Sequence, residues 1–343
     1  MKTMKLDELY SEVKKIISTV DFNNLWEGFR PLKFALYNDR ECYFDGKYIP
    51  KTDDFLANTA IKYNGEMIAI WNVMDDITPI VMTSKIIHEM FHGFQMLKKE
   101  TRFPNEFEAI YKYQYIPENL SIKLLENKLI LELLQSFNKE KFNTLLSLMK
   151  YRYNKYHYEF MYELKIEQIE GSANSVELNA LKQISKEQYI LKLAKMKENI
   201  VSKTKLFPIR VNSYDIGALR IEILKNNHIK FNEGFNNSIY IEELLTNIEE
   251  AKEFEIDDIS YLVSDYELKK QQLVKKALEK NDVVMDYETN LLGINFYNAM
   301  KYDKYIISQY FVMYGEEENP IIKYGDFVIE TAGIGNIKRI YKL

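Results

Sequence analysis

From Pro104 to about residue 200 the chain carries apolar residues at helical spacing almost without interruption, so a block of packed helices must hold most of its core. Breaks near Pro117 and Asn138 divide this run, and helices are predicted at 119–136, 139–155, 157–183 and 186–200. Pro208 interrupts the pattern, and YDIGALRIEILKNN predicts one more helix from about Ser213 to Lys225. At the amino end, Leu6, Leu9, Val13, Ile16 and Ile17 share one face of a helix expected over residues 5 to 19.

Between Leu32 and Val73 the character changes. LKFALYN, ECYFDGKYI, TAIKYNGE and MIAIWNV are short apolar or alternating runs punctuated by Asn, Asp and Gly, which predicts a small antiparallel sheet. A linker-like stretch, NEGFNNS, precedes a long charged helix around 260–281, and the tail alternates in YIISQYFVMY, DFVIETA and IKRIYKL as a short terminal sheet would. The expected fold class is α+β and mainly helical. Residues 1–80 form an N-terminal helix and sheet, 81–235 a helical core, and 236–343 a small C-terminal α/β region.

A chain of 343 residues with 46% hydrophobic content can bury a large core without covalent help. It has to, because Cys42 is its only cysteine and no intramolecular disulfide, cysteine zinc finger or iron–sulfur site can form. The amino-terminal segment MKTMKLDELYSEVKKIISTV has no apolar run long enough for a signal or a membrane span, so a cytoplasmic protein with no membrane partner is expected. A net charge of -5 argues against a broad nucleic-acid footprint. The 26 tyrosines are spread along the chain as a compositional bias.

The chemistry concentrates at His88-Glu89-Met90-Phe91-His92, an HExxH sequence within KIIHEMFHGFQMLKK. That segment is predicted helical on separate grounds, with Thr83 or Ser84 as its cap and Ile86, Ile87, Met90, Phe91, Phe94 and Leu97 as its apolar side. Four residues is nearly one turn, so both imidazoles project from one face, about 6 Å apart, and can grip one ion. Glu89 lies about 100° round the helix from His88, beside the ion, where it can take a proton from water. One zinc per chain is the expected cofactor, and a purely structural site would have no need of Glu89.

A catalytic zinc has three protein ligands and an open position, so a further His, Asp or Glu must come from elsewhere. The pattern HExxHxxGxxH is excluded, because Gln95 and Lys98 stand where it needs glycine and histidine. Glu106 and Glu108, 14 and 16 positions after His92 (106 − 92 and 108 − 92), are nearer in sequence, but they are expected to cap the amino terminus of a helix after Pro104. A further acid, Glu170, stands in Glu170-Gly171-Ser172-Ala173, and a family resemblance singles it out.

With HExxH followed by E-G-x-A, the chain resembles the gluzincin metallopeptidases, in which the glutamate of the second motif binds zinc. The resemblance implies that Glu170 is the third ligand, and Glu177 stands where many members carry a further acid. Here Glu170 follows His92 by 78 positions (170 − 92), farther than in the best-known members, which implies a long helical insertion. Gly171 and Ala173 are expected to let their helix approach the HExxH helix closely. Glu167, Asn174 and Glu177 are candidates to orient the histidine rings.

Tyr214, in Tyr214-Asp215-Ile216-Gly217-Ala218, resembles the Y-x-x-G-A helix start of several gluzincins, whose tyrosine stabilises the oxyanion; His157 and His228 are competing donors. Arg210 is placed to bind a substrate carboxylate. NGEMIAIWNV has strand character, and by analogy with such peptidases Asn64 to Asn72, with Asn64, Gly65 and Ala69 among them, is expected to be an edge strand that pairs with a peptide or protein substrate. The expected activity is hydrolysis of peptide bonds; the second reading is a non-catalytic peptide-binding or regulatory protein that keeps the zinc scaffold.

Overall fold

The computed structural model describes residues 4–74, 76–235 and 238–343. Within it 51% of the residues are helical and 21% are in strands, the α+β, mainly helical class expected from the periodicity. Asn236 and Asn237 of the linker-like stretch lie outside the described residues.

The chain opens with helices α1 (Leu6–Ile17) and α2 (Phe22–Leu25), then five strands, β1 (Lys33–Tyr37), β2 (Glu41–Phe44), β3 (Lys47–Pro50), β4 (Thr59–Tyr63) and β5 (Glu66–Asn72). Their order in the sheet is β3-β2-β1-β5-β4. The expectation of an antiparallel sheet is corrected at one pair: β5 runs parallel to β1, with Phe34 opposite Ala69 and Leu36 opposite Trp71. A β4–β5 hairpin that returns on the far side of β1 has to deliver β5 in that sense. In this order β4 is one edge of the sheet, β3 the other, and β5 is interior.

Helix α3 (Pro79–Leu97) carries the HExxH sequence across this sheet. It begins earlier than the sequence predicts. The Thr78 side chain accepts from the Val81 amide, and Pro79 occupies the first turn, where its missing N–H is harmless. Thr83 and Ser84 lie inside the helix and donate back to the carbonyls of Pro79 and Val81 at 2.7 and 2.9 Å. At Gly93 the helix comes so close to the sheet that a Cβ there would meet Leu32 Cδ1 at 2.5 Å.

The helical block follows as α4 (Glu106–Lys112), α5 (Pro117–Gln135), α6 (Lys139–Lys155), α7 (His157–Ile166), α8 (Ser172–Ile184), α9 (Lys186–Val201) and α10 (Ile209–Asn226). The helix predicted over 157–183 is interrupted by a π turn at Glu167–Gly171, and α10 starts at Ile209, ahead of Ser213. Helices α8 and α10 pack on each other, and α8 packs on α3.

Inside the block lies a closed ring of six charges. Lys123 bridges Glu163 (2.7 Å) and Glu167 (2.9 Å), Arg220 bridges Glu167 (2.6 Å) and Glu126 (2.9 Å), and Arg152 bridges Glu126 (3.1 Å) and Glu163 (2.7 Å). All six side chains are buried. Each charge has two partners of opposite sign, which is what makes burial of so many ions sustainable.

Helices α11 (Tyr240–Leu245) and α12 (Ser260–Lys280) lead to the last region: β6 (Val283–Ile294), β7 (Met300–Tyr302), β8 (Tyr305–Ser308), β9 (Phe311–Glu316), β10 (Asn319–Tyr324), β11 (Phe327–Gly333) and β12 (Asn336–Lys342). They form one sheet in the order β10-β9-β6-β12-β11-β8-β7, every neighbour antiparallel. This is larger than the short terminal sheet expected. Helix α12 covers it, with Tyr266, Val274 and Ala277 against Ile307, Val328 and Tyr341. Among the described residues, no helix is long and apolar enough to cross a membrane.

Candidate metal centre

One turn of α3 brings His88 and His92 together, and their Nε2 atoms lie 3.1 Å apart. Glu170, from the π turn before α8, places Oε2 3.3 Å from His92 Nε2 and 3.9 Å from His88 Nε2. Among the described residues these three form a group whose ligand atoms all lie within 4.8 Å of one another. A tetrahedral ion with bonds of about 2.0–2.1 Å sets its ligands about 3.3 Å apart. The spacing fits such an ion.

The backing of each ring says which nitrogen is free. Gln95 Nε2 donates to the Ile169 carbonyl and the Ser172 hydroxyl, both at 3.1 Å, so its Oε1 is the atom that faces His92 Nδ1 at 2.8 Å. His92 must therefore carry a proton on Nδ1. Behind His88, the Glu177 Oε2 atom stands 3.4 Å from Nδ1, close enough for its charge to favour a proton on that nitrogen although the two make no hydrogen bond. Two Nε2 lone pairs and a carboxylate oxygen then converge on one point, and without a cation they repel. A proton on His92 is one such cation: burial lowers the ring's basicity, but the Glu170 carboxylate overrides it and holds the pKa up at about 9. A metal ion is the other, and it must displace that proton.

Arg210 fastens Glu170 from the opposite side. Its Nη2 donates to Glu170 Oε1 at 3.4 Å, its Nε donates to Glu106 Oε1 at 2.8 Å, and its Nη1 donates to the Tyr214 hydroxyl. Burial raises the pKa of Glu170, yet His92 and Arg210 outweigh it and keep the group an anion. Burial pushes the Tyr214 phenol well above its ordinary range, so it remains a donor. Glu89, buried beside the two rings, has its pKa raised by burial, which the histidines only partly offset. Glu177 is held well below the usual carboxylate range against a large burial cost, because Lys192 and Lys85 approach one of its oxygens at 2.6 and 3.0 Å.

These groups open into a cleft of about 740 Å³ lined by His88, Glu89, His92, Glu170, Asn174, Arg210 and Tyr214. Several other expected site residues lie elsewhere. Glu167 does not support a histidine; its oxygens are taken by Lys123 and Arg220 in the buried ring. Asn174 lines the cleft but donates to Asp215 Oδ1 at 3.3 Å. Asn64 and Gly65 are the two-residue β4–β5 turn, with φ of 48° and 85°, a conformation that suits Asn-Gly and closes a hairpin. Ala69 is buried in the interior strand β5, paired with Phe34 and Ala60. The segment Asn64 to Asn72 is thus no edge strand. The edge is β4, and Asn58 and Thr59 at its start line the cleft.

Gly171 approaches α10, not the HExxH helix: a Cβ there would lie 2.7 Å from Gly217 Cα. Arg210 is occupied by Glu106, Glu170 and Tyr214. Asn105, not Glu106 or Glu108, caps α4. His157 is exposed, with its Nδ1 near the Tyr153 carbonyl, and His228 lies at a positive φ after α10; neither is among the residues lining the cleft.

Sequence reasoning missed Gln95, Lys85, Lys192, Asp215 and Tyr297. Gln95 was legible, being three residues after His92 and so on its side of the helix. Tyr297, between β6 and β7, reaches the cleft from the C-terminal sheet and meets the Tyr214 ring edge-on at 6.3 Å, a juxtaposition without local signal. In comparisons with known proteins, no family model, no curated protein and no solved structure matches the chain.

Proposed function

We propose that the protein is a zinc-dependent peptidase of gluzincin type. The observation that carries this reading is the convergence of His88 Nε2, His92 Nε2 and Glu170 Oε2 with spacings of 3.1, 3.3 and 3.9 Å, each ring backed by an acceptor. Zinc held by these three would supply Lewis acidity and lower the pKa of a water molecule to about 7.

The remaining work falls to the chain's own side chains. Glu89 takes the proton from the attacking water and later hands it to the leaving amine, and its burial raises its basicity toward that task. Tyr214 keeps its phenolic proton and donates it in a hydrogen bond to the developing oxyanion, held beside Glu170 by Arg210. Gln95 and Glu177 fix the rings, and Arg210 fixes Glu170. The exposed side of β4 is the strand on which an extended peptide can align, by main-chain pairing along the cleft's rim. The cytoplasm is its proposed location, in keeping with the single buried thiol of Cys42.

Digestion of a peptide library by the wild-type protein and by Glu89→Gln, read by mass spectrometry, tests the function. We expect about one zinc per chain in both proteins and cleavage by the wild type alone. Cleavage by the variant at the wild-type rate would refute the role of Glu89. Absence of cleavage by the wild type would favour the second reading, a zinc scaffold that binds peptides without cutting them.

A further inference from the structure

The wall of the cleft away from the metal ligands carries a second constellation. Asn212, on α10, lines the cleft and is only 2% exposed, yet neither Oδ1 nor Nδ2 has a hydrogen-bond partner within the protein. Leaving a buried polar group unpaired costs roughly 1–3 kcal/mol. A buried carboxamide that lacks both of its partners calls for an explanation, and a ligand that brings a donor and an acceptor is one.

Two cations share this wall. Lys192 of α9 and Lys85 of α3 both line the cleft and both lean on the single atom Glu177 Oε1, at 2.6 and 3.0 Å. An ammonium has three donors, so each keeps some to spare. The other acid here, Asp215, already accepts from Asn174 at 3.3 Å and Asn199 at 2.8 Å. With exposed Lys205 at the rim, three lysines stand among Glu177, Asp215 and Glu89.

Its place relative to the reacting centre follows from the helices. Lys85 precedes Glu89 by one turn of α3 and Asn174 follows Glu170 by one turn of α8, and a turn is about 5.4 Å. That is the distance to a neighbouring residue of an extended peptide, about 3.3–3.6 Å per residue plus a side chain or terminus.

We propose that this wall binds a carboxylate on the substrate residue next to the cleaved bond, with the Asn212 carboxamide paired to a peptide group of the same residue. The proposal rests on the peptidase reading and names its substrate class: peptides carrying a negative charge beside the scissile bond. A peptide group offers one acceptor and one donor, matching the two unpaired atoms of Asn212. The carboxylate takes the spare donors of Lys192 and Lys85 in charge-assisted hydrogen bonds. It is supplied either by the end of the peptide chain or by an acidic side chain.

The test measures binding without turnover. Zinc-loaded Glu89→Gln protein is titrated calorimetrically with three N-acetylated tripeptides: trialanine with a free carboxyl terminus, the same peptide as its terminal amide, and a terminal amide with glutamate at the last position. One of the two acids is expected to bind at least about tenfold tighter than the neutral amide, and which one does so identifies the source of the carboxylate. In the Glu89→Gln background with zinc content measured, Lys192→Met should shrink that ratio to about threefold or less, whereas Asn212→Leu should weaken all three peptides alike by roughly fivefold or more.

Because Asn212 makes no hydrogen bond in the free protein, Asn212→Leu should leave Tm unchanged or raise it; a structural asparagine would lower it. Equal binding of all three peptides, no binding of any, an undiminished ratio in Lys192→Met, or undiminished affinity for all three in Asn212→Leu overturns the proposal. The peptidase reading is judged separately, by cleavage of the library with wild-type protein.

Discussion

His88 and His92 present the same ring nitrogen to the same point but are backed differently, by a carboxylate in one case and a carboxamide in the other. The carboxamide is the more informative partner. Gln95 ties His92 to the π turn through Ile169 and Ser172, so the ring's orientation and the position of Glu170 depend on one side chain. Gln95→Leu keeps the volume and removes both links. We expect zinc affinity to fall by roughly 10–100-fold, measured by competition with a chromophoric chelator, while the protein stays folded. Unchanged affinity would mean that Gln95 does not set the ring. Sequence reasoning reached His88, His92 and Glu170 and not this support, because a glutamine has no metal chemistry of its own to draw attention.

At the scale of elements, the position of Glu170, the proposed third ligand, depends on how closely two elements meet. Gly171 ends the π turn and faces Gly217 on α10; a Cβ on Gly217 would lie 2.8 Å from the Glu167 carbonyl oxygen and 2.9 Å from Glu167 Cα. Both neighbours are backbone, so neither can move without shifting the turn that bears Glu170. Gly217→Ala is expected to cost about 1–3 kcal/mol of stability and to weaken zinc binding, checked by denaturant unfolding and metal content. A variant as stable as the wild type would refute so tight a packing. The π turn itself was invisible in the sequence. Of its five residues, Glu167 to Gly171, only Ile169 continues the apolar stripe, and periodicity cannot register one extra residue in a single turn.

Over the whole molecule, the ring of six buried charges links α5, α6, α7, the π turn and α10, and so stands behind the metal centre. Its acid response can be worked out at Glu163. Burial raises the pKa of this carboxyl, but Arg152 and Lys123 outweigh burial and lower it from 4.5 to about 2. Above the unfolded value Glu163 is ionised in both states and its stabilisation is complete. As pH falls through 4.5 toward 2 the unfolded chain takes up the proton first, and about 3 kcal/mol is lost. Glu163→Gln should lower stability at pH 7 by about 3 kcal/mol, because it leaves the buried Lys123 and Arg152 with one carboxylate each, Glu167 and Glu126, and should lose less on acidification than the wild type. Unfolding by urea at pH 7 and pH 3 checks both; an equal acid response in the two proteins would remove Glu163 from the account.

What the sequence determined alone was whatever is periodic or local: the helical block, the strands of both sheets in outline, and His88 and His92 one turn apart. The motif resemblance extended this to Glu170 and Tyr214, across separations that periodicity does not reach. Only the tertiary structure decided that β5 is interior and β4 the edge, that Glu167 belongs to a charge ring and Glu177 to His88, and that Lys85, Lys192, Asn212 and Tyr297 share one cleft. Those outcomes turn on which of several chemically similar groups ends up nearest a given partner. Such distances are set by how four or five elements pack against one another, and neighbours in the chain carry no record of them.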